Sequence, residues 1–186
     1  MIRQSIQCLL SLTVLTGLVY PLLVTAIAQG LFPNSANGSL LMNDGHITGS
    51  RLLGQPFENP KYFWSRPSAT GPFAYNTASS SGSNFGPLNP DFRKALETRI
   101  AALKAANPQG GDIPIDLIMA SASGLDPHIS PAAAEYQLAR VSNVRGISVA
   151  HARELIARYT DAPQLGFLGN AGVNVLLLNQ ALDRKE

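Results

Sequence analysis

Ser123-Gly-Leu-Asp-Pro-His-Ile-Ser-Pro131 is the most informative stretch of the chain, because it combines turn residues, an acid, a histidine and the start of a helix. Gly124 and Pro127 favour turns. Ser130 followed by Pro131 is a helix-entry signal, because a serine hydroxyl can accept from a free N–H of the first turn and proline suits the first helical position. The stretch therefore predicts a rigid loop that leads into a helix.

Asp126 and His128 lie on either side of Pro127 and could either form a functional pair or fasten a tight turn. The enzyme hypothesis is a serine hydrolase with Ser121 or Ser123 as its nucleophile. Groups so close in sequence seldom reach the geometry that links nucleophile, base and orienting acid. We favour the structural interpretation, in which Asp126 bonds local backbone N–H groups and His128 bridges two loops.

The composition indicates one domain with a core and little electrostatic attraction for nucleic acid. The chain has 186 residues, of which 45% are hydrophobic and 14% charged, and its formal net charge is +2. Soluble domains usually carry roughly 25% charged residues, and nucleic-acid binding needs a basic surface. The single cysteine, Cys8, lies in an apolar run, which excludes an intrachain disulfide and suggests a small lipid-facing residue.

Residues 6–28 are uncharged and mostly apolar, and as a helix they would extend roughly 34 Å, enough to span a bilayer. Arg3 is the only charged residue before Asp44, so the positive-inside rule leaves the N-terminus in the cytoplasm and exports the rest. We predict an anchor over 1–29, a linker over 30–39 and one extracytoplasmic domain over 40–186. The alternative is a cleaved signal peptide ending at Ala26-Ile27-Ala28, which would make the protein a secreted or periplasmic binding module.

The pattern of the exported part predicts a mixed fold of class α+β. Asn43-Asp44-Gly45 predicts a hairpin with a type I′ turn. Further elements are predicted from periodicity, caps and prolines: a helix from Pro90 to about 106, an edge strand or an extended lead-in over 113–119, a helix from Pro131 to about 144, a helix capped by Ser148, and a buried apolar helix over 173–182.

Three features outside the opening stretch could carry binding. Tyr62-Phe63-Trp64-Ser65-Arg66-Pro67-Ser68 places an arginine beside aromatic residues. Arg66 could stack on an aromatic ring or reach a carboxylate through its planar guanidinium group, and we favour core packing with a structural arginine over ligand binding. Residues 70–87 have the composition of a flexible loop, yet their length and aromatic residues suggest docking. The two helices after Pro131 resemble a DNA-binding pair, but their predicted outward arginines are offset by acids, which disfavours that role: Arg140, Arg145, Arg153 and Arg158 against Glu135 and Glu154.

The sequence contains no motif of a nucleotide-binding loop, a dinucleotide fold, a zinc protease or an α/β-hydrolase elbow. Three dispersed histidines and one cysteine do not readily supply a zinc site. The sequence therefore points to a protein that is not an enzyme on its own.

Several blocks of the sequence resemble the C subunit of the Kdp-type potassium-transporting P-type ATPase over essentially the whole chain. The most specific is Ala120-Ser-Ala-Ser-Gly-Leu-Asp-Pro-His-Ile-Ser-Pro-Ala-Ala-Ala134. The others are the Tyr62–Ser68 block, Tyr75-Asn76, Ser80-Ser-Gly-Ser-Asn84, Gly86-Pro87, Asn89-Pro90, Pro114-Ile-Asp-Leu117, Arg140-Val141, Arg145-Gly146 and Gly166-Phe-Leu-Gly169.

The resemblance implies a non-catalytic accessory subunit of an inner-membrane complex that imports potassium, with a channel-like potassium-binding subunit and a P-type pump subunit as partners. It also implies ATP and K⁺ for the complex, and a role in raising the ATP affinity of the pump subunit. No ATP or K⁺ ligand can be assigned in this chain. Our candidates for structural or subunit-docking residues are Arg66, Tyr75, Asn76, Asp126 and His128.

Overall fold

The computed structural model describes residues 1–43 and 45–184, and the chain forms two compact units, Met1–Ser50 and Arg51–Glu186. The predicted linker and the predicted domain boundary at residue 40 remain predictions. Each unit has its own internal contacts and is described separately below.

One long helix makes up most of the first unit. α1 (Ile2–Val14) continues through a π-helical turn (Leu15–Val19) into α2 (Tyr20–Leu31). Among the described residues it is the one helix long and apolar enough to cross a membrane, and its apolar side chains are not buried. A helix that exposes leucine, isoleucine and valine on all sides is suited to lipid. The predicted membrane-spanning helix is therefore confirmed as an element of this length and apolarity.

A short helix and a hairpin complete the first unit. α3 (Pro33–Ala36) precedes β1 (Leu40–Asn43), which pairs antiparallel with β2 (His46–Ser50). The register places Leu40 opposite Ser50 and Asn43 opposite His46. The predicted hairpin is confirmed, whereas its predicted turn type depends on Asp44, which lies outside the described residues.

The second unit packs helices around a small sheet. In chain order its elements are α4 (Pro90–Ala106), α5 (Ile115–Ile118), β3 (His128–Ile129), α6 (Pro131–Arg145), α7 (Val149–Arg158), β4 (Thr160–Asp161), β5 (Gly172–Asn174) and α8 (Val175–Asp183). The sheet has the order β3-β5-β4 with both pairs antiparallel. One apolar spanning helix and a mixed helix–sheet unit agree with the predicted α+β class.

Local signals account for the ends of the longer helices. Asn89 accepts from the N–H of Asp91 at the start of α4, and Ser148 accepts from the N–H of His151 at the start of α7. α6 ends at Gly146, whose φ of 68° is the left-handed conformation that glycine adopts without steric penalty. These three boundaries follow from residues adjacent to the helix ends.

The core of the second unit lies between α6, α7, α8 and the sheet. Its buried apolar side chains include Phe63, Leu117, Ile129, Leu138, Val141, Leu155, Ile156, Val173, Val175 and Leu178. Phe63 is fully buried although its segment has no regular secondary structure. The aromatic block is therefore part of the core.

Two predicted elements differ from the observed ones. The predicted edge strand over 113–119 is wrong: its centre is the one-turn helix α5, which buries Leu117 and exposes Ile115. The predicted helix over 173–182 begins later, because Val173 and Asn174 belong to β5. A short apolar run fits a buried strand as well as a helix, and here pairing with β3 and β4 decides the conformation of its first residues.

Two of the four arginines predicted to point outward are instead partly or fully buried. Arg140 is only 7% exposed, and Arg145 donates to the carbonyls of Lys61 and Leu182. Arg153 and Arg158 do lie at the surface, where they pair with Glu135 and Glu154.

Candidate functional site

The start of α6 is held from two sides. The Ser130 hydroxyl accepts from the Ala133 N–H at 3.0 Å, which caps the helix as predicted. The Asp116 carboxylate on α5 accepts from the Ser130 N–H at 2.6 Å and from its hydroxyl at 3.1 Å. Bonds to a charged carboxylate are stronger than bonds between neutral groups, so this contact ties α5 to the end of the opening stretch.

Five charged side chains form a continuous series of contacts beside this helix start. We call them the latch, and in order of contact they are Arg66, Asp126, His128, Asp161 and Arg51. Arg66 Nη1 lies 3.0 Å from Asp126 Oδ2, and Arg51 Nη2 lies 2.9 Å from Asp161 Oδ1. His128 connects the two pairs, because its Nε2 lies 3.2 Å from Asp161 Oδ2 and its Nδ1 lies 3.5 Å from Asp126 Oδ1. The latch therefore joins four segments of the second unit.

Contacts within the latch shift the pKa values of Asp126 and His128. Burial alone would raise the pKa of Asp126, but hydrogen bonds from the ring and backbone of His128 and the charge of Arg66 hold it below 3.8. The hydrogen bond to Asp126 raises the pKa of His128 above 6.5 against the opposing effect of burial, and Asp161 adds to the rise. Both shifts favour an imidazolium between two carboxylates.

Backbone carbonyls of the opening stretch are bonded by two earlier loops. The Ser68 hydroxyl donates to the Gly124 carbonyl at 2.7 Å, and the Gly54 N–H donates to the Leu125 carbonyl at 2.9 Å. The Ser123 carbonyl accepts hydrogen bonds from the Ser81 N–H at 3.1 Å and from the Ser80 hydroxyl at 2.9 Å. The run 70–87 thus contains no helix or strand, as predicted, and docks on the opening stretch.

Tyr75 and Asn76 have separate roles in this arrangement. Tyr75 has a φ of 61°, and its hydroxyl donates to the Arg66 carbonyl at 2.6 Å. Burial raises the pKa of Tyr75 to about 12. Asn76 donates to the Gly71 carbonyl at 2.7 Å and accepts from the Ala78 N–H at 3.1 Å, so it shapes its own loop. The structure brings together Arg66, Tyr75, Asp126 and His128, whereas the side chain of Asn76 is bonded within its own loop.

A groove of about 660 Å³ opens beside the latch. One wall carries latch side chains, and the other is formed by the segment between β4 and β5, including Gln164, Leu168 and Gly169. The charged groups of the latch that line this groove are already bonded to one another. We therefore interpret the groove as a surface for contact with another molecule.

Comparison with known proteins identifies the family. A family model described as K⁺-transporting ATPase, c chain, matches residues 2–184. The chain belongs to this family, KdpC. Three relatives carry the name potassium-transporting ATPase KdpC subunit: one from Sorangium cellulosum, 56% identical over 98% of this chain and 96% of its own length, one from Methylococcus capsulatus, 54% identical over 97% and 96%, and one from Polaromonas naphthalenivorans, 55% identical over 98% and 93%. This protein is therefore a subunit of a potassium-transporting ATPase complex, as its sequence blocks suggested.

The geometry of this KdpC-family chain does not form the serine-hydrolase arrangement considered above. Both ring nitrogens of His128 face carboxylates, and the Ser123 hydroxyl accepts from the Leu125 N–H at 3.1 Å. Ser121 is buried. A nucleophile needs a base nitrogen within hydrogen-bond reach, and here that nitrogen is already bonded. Across residues 1–43 and 45–184, no cluster of three His, Cys, Asp or Glu side chains is placed to hold a metal ion.

Sequence reasoning missed two amide side chains that hold the aromatic block. Asn179 on α8 accepts from the Phe63 N–H and donates to the Phe63 carbonyl, both at 2.9 Å. Gln137 on α6 accepts from the Trp64 N–H at 2.8 Å and donates to the Trp64 carbonyl at 3.2 Å. Each amide thus satisfies both backbone groups of one residue, as a neighbouring strand would. Their only sequence signal is an amide on an otherwise apolar helix face.

Two of the cations that stack on the aromatic block also come from α6. The Arg140 guanidinium carbon lies 4.5 Å from the centre of the Trp64 ring, and that of Arg145 lies 5.0 Å from the centre of the Tyr62 ring. Arg140 also donates to the carbonyls of Pro60 and Tyr62, and burial lowers its pKa to about 10. Arg66 itself makes the other contact considered for it, to the carboxylate of Asp126 in the latch.

Proposed function

We propose that this subunit is a non-catalytic accessory member of its potassium-importing ATPase, with an extracytoplasmic domain that assembles and stabilises the complex. The observation that carries the proposal is the latch, together with the loops docked on it. Its charged groups are bonded to one another, and the histidine that could act as a base is held between two carboxylates. Such a network fixes loop positions for contact and leaves no activated nucleophile at its centre.

The proposed partners are the channel-like potassium-binding subunit and the P-type pump subunit of the same complex. The chain's family and the names of its relatives support partners of this class. ATP and K⁺ would be handled by those subunits. A chaperone-like rise in the pump subunit's ATP affinity would then arise indirectly, through assembly, since an exported domain would not meet cytoplasmic ATP.

The proposed location is the inner membrane, with a single span, a cytoplasmic N-terminus and an extracytoplasmic second unit. Arg3 is the only charged residue before Asp44, and positive residues stay on the cytoplasmic side of a span. An intact mass beginning at Gln29 would instead support the secreted or periplasmic module with a cleaved signal, for which Ala26-Ile27-Ala28 is the motivating observation. We expect the intact mass of the full chain.

Co-purification tests the function directly. The tagged full chain is expressed with its complex in potassium-starved cells, extracted in mild detergent and analysed by mass spectrometry. We expect two larger ATPase subunits to be recovered with it. Recovery of the tagged chain alone, in cells that express those subunits, would refute an assembly role. Asp126→Ala should reduce recovery, while the K⁺ over Rb⁺ preference of the complex that still forms should not change.

A further inference from the structure

The segment between β4 and β5 contains a tight turn that exposes apolar side chains to solvent. We call residues 163–169 the apolar turn. Gln164 and Leu168 exchange backbone hydrogen bonds of 2.9 Å in both directions, and the Phe167 N–H donates to the Gln164 carbonyl at 3.2 Å. Leu165 is 83% exposed and Phe167 is 73% exposed. The turn therefore has fixed geometry and carries its largest side chains outward.

The backbone of the turn is strained at a leucine. Leu165 and Gly166 have φ values of 54° and 82°, the pair of positive values that defines a type I′ turn and that Asn-Gly normally supplies. A bulky residue at positive φ is an outlier that persists only where the surroundings impose it, and such residues cluster at functional sites. Backbone hydrogen bonds of the turn hold this conformation, including Gly166 N–H to the Pro163 carbonyl at 3.1 Å, while the Leu165 side chain itself stays in solvent.

The base of the turn is held firmly. Asp161 and Gly172 pair across β4 and β5, and Asp161 is bonded to His128 and Arg51 of the latch. Gly172 also lies against the His128 side chain, which a Cβ atom there would approach to 3.2 Å. A preorganised apolar projection loses little conformational freedom on binding, which is the property of an interface anchor.

We propose that the apolar turn is an anchor that inserts into an apolar recess on another protein subunit of the same ATPase; this rests on the assembly role proposed above. Family membership supplies a partner, because this chain is one subunit of a larger complex. The charge pattern favours protein over lipid: residues 162–171, the whole segment between β4 and β5, contain no Lys or Arg, whereas segments that bind at membrane surfaces are rich in them. The bonded charges of the latch would form the polar rim around the apolar centre.

Two variants separate anchoring from folding. Leu165→Gly removes the apolar side chain and relieves the strained backbone, so the melting temperature of the purified chain should stay the same or rise while recovery of ATPase subunits falls. Phe167→Ala should weaken the affinity for the ATPase subunits roughly 30-fold, as expected for a central anchor, and recovery should fall with it. Val144→Ala and Leu88→Asn are matched controls, because both side chains are exposed and lie outside the turn, the latch and the loop over 70–87; they should leave recovery unchanged.

The same preparation distinguishes the two proposals. If the unaltered chain recovers no ATPase subunits, the assembly role fails and the anchor with it. If the unaltered chain recovers them and the turn variants match their controls, only the anchor proposal is overturned. A fall in melting temperature together with recovery for Leu165→Gly would assign the turn to folding and also overturn the proposal.

A photo-reactive phenylalanine analogue at position 167 identifies the occupant. We expect one covalent adduct with a larger ATPase subunit in native membranes. An adduct with lipid, an adduct with a second copy of this chain, or no adduct in membranes where the complex assembles would each overturn the proposal.

Discussion

Asn179→Ala should destabilise the second unit by about 3 kcal/mol. The side chain is 2% exposed and makes two hydrogen bonds of 2.9 Å to the backbone of Phe63, which is fully buried. Its removal leaves one N–H and one carbonyl without partners in the core. Each buried unsatisfied polar group costs about 1–3 kcal/mol, so two such groups cost about 2–6 kcal/mol. We expect a value of about 3 kcal/mol because local relaxation reduces the cost.

Urea unfolding of the full chain in mild detergent measures this change. Trp64 is the only tryptophan and follows Phe63 in sequence, so its fluorescence reports on the affected segment. For a unit of this size, about 3 kcal/mol corresponds to a fall in melting temperature of roughly 6–12 °C. The midpoint should shift while the slope of the unfolding free energy with urea remains constant.

Two further substitutions separate lost hydrogen bonds from lost volume. Asn179→Leu keeps a side chain of similar size but still leaves both Phe63 groups without partners, so it should be about as destabilising as Asn179→Ala. Asn143→Ala is the matched control, because Asn143 is exposed on α6 and surface substitutions usually change stability by less than about 0.5 kcal/mol. Our reasoning would be refuted if Asn179→Leu restored the stability of the unaltered chain.

Four other outcomes are expected. Asp126→Asn should cost about 1 kcal/mol, as for a partly exposed ion pair, and should return the pKa of the His128 imidazole, followed by NMR, towards 6.5; an unchanged pKa would contradict the contact with Asp126. The raised pKa of His128 means that its stabilising contribution is complete below pH 6.5 and is lost as pH rises through the folded-state pKa, so unfolding measured across neutral pH should show a step that His128→Gln abolishes. The lowered pKa of Asp126 predicts a second loss of folding stability as pH falls below 3.8. Gly124→Ala should be more destabilising than Gly146→Ala, because both have a φ of 68° but only the Gly124 Cβ would meet other atoms, at 2.5 Å from Thr70 and 2.8 Å from Ser81; equal melting temperatures would contradict the close packing of that loop.

The parts of the fold that depend on neighbouring residues could be predicted from sequence. The Ser130 and Ser148 caps and the Gly146 stop follow from side chains or conformations at the helix ends themselves. The one-turn helix α5 could not be predicted, because its stabilising partner is Ser130 across a turn of the chain. A single helical turn has little intrinsic stability, so tertiary contact determines the conformation there.

The site shows the same division. Asp126 and His128 could be selected because two titratable residues flank a proline within a turn-rich stretch. Arg51 and Asp161 could not be selected from sequence, because they are 110 residues apart and meet only in the folded chain. Arg140 was assigned to the surface because arginine is rarely buried, whereas the carbonyls that receive it belong to an irregular segment some 80 residues earlier. A buried segment without secondary structure needs partners for its backbone groups from outside the segment, and the buried amides and arginine supply them here.

Asp161 belongs to the latch and lies just before the apolar turn, so the latch supports the base of the turn without being part of it. Asp161 ends β4 and is bonded to His128 and Arg51, so it fixes the base from which the turn projects. A latch variant should therefore lower both the stability of the unit and its assembly, because it disturbs the loops and the base of the turn together. A turn variant should lower assembly alone, because Leu165 and Phe167 contribute little buried area to the unit itself. Comparing the loss of stability with the loss of assembly for each variant therefore shows whether a residue acts through the fold or at the interface.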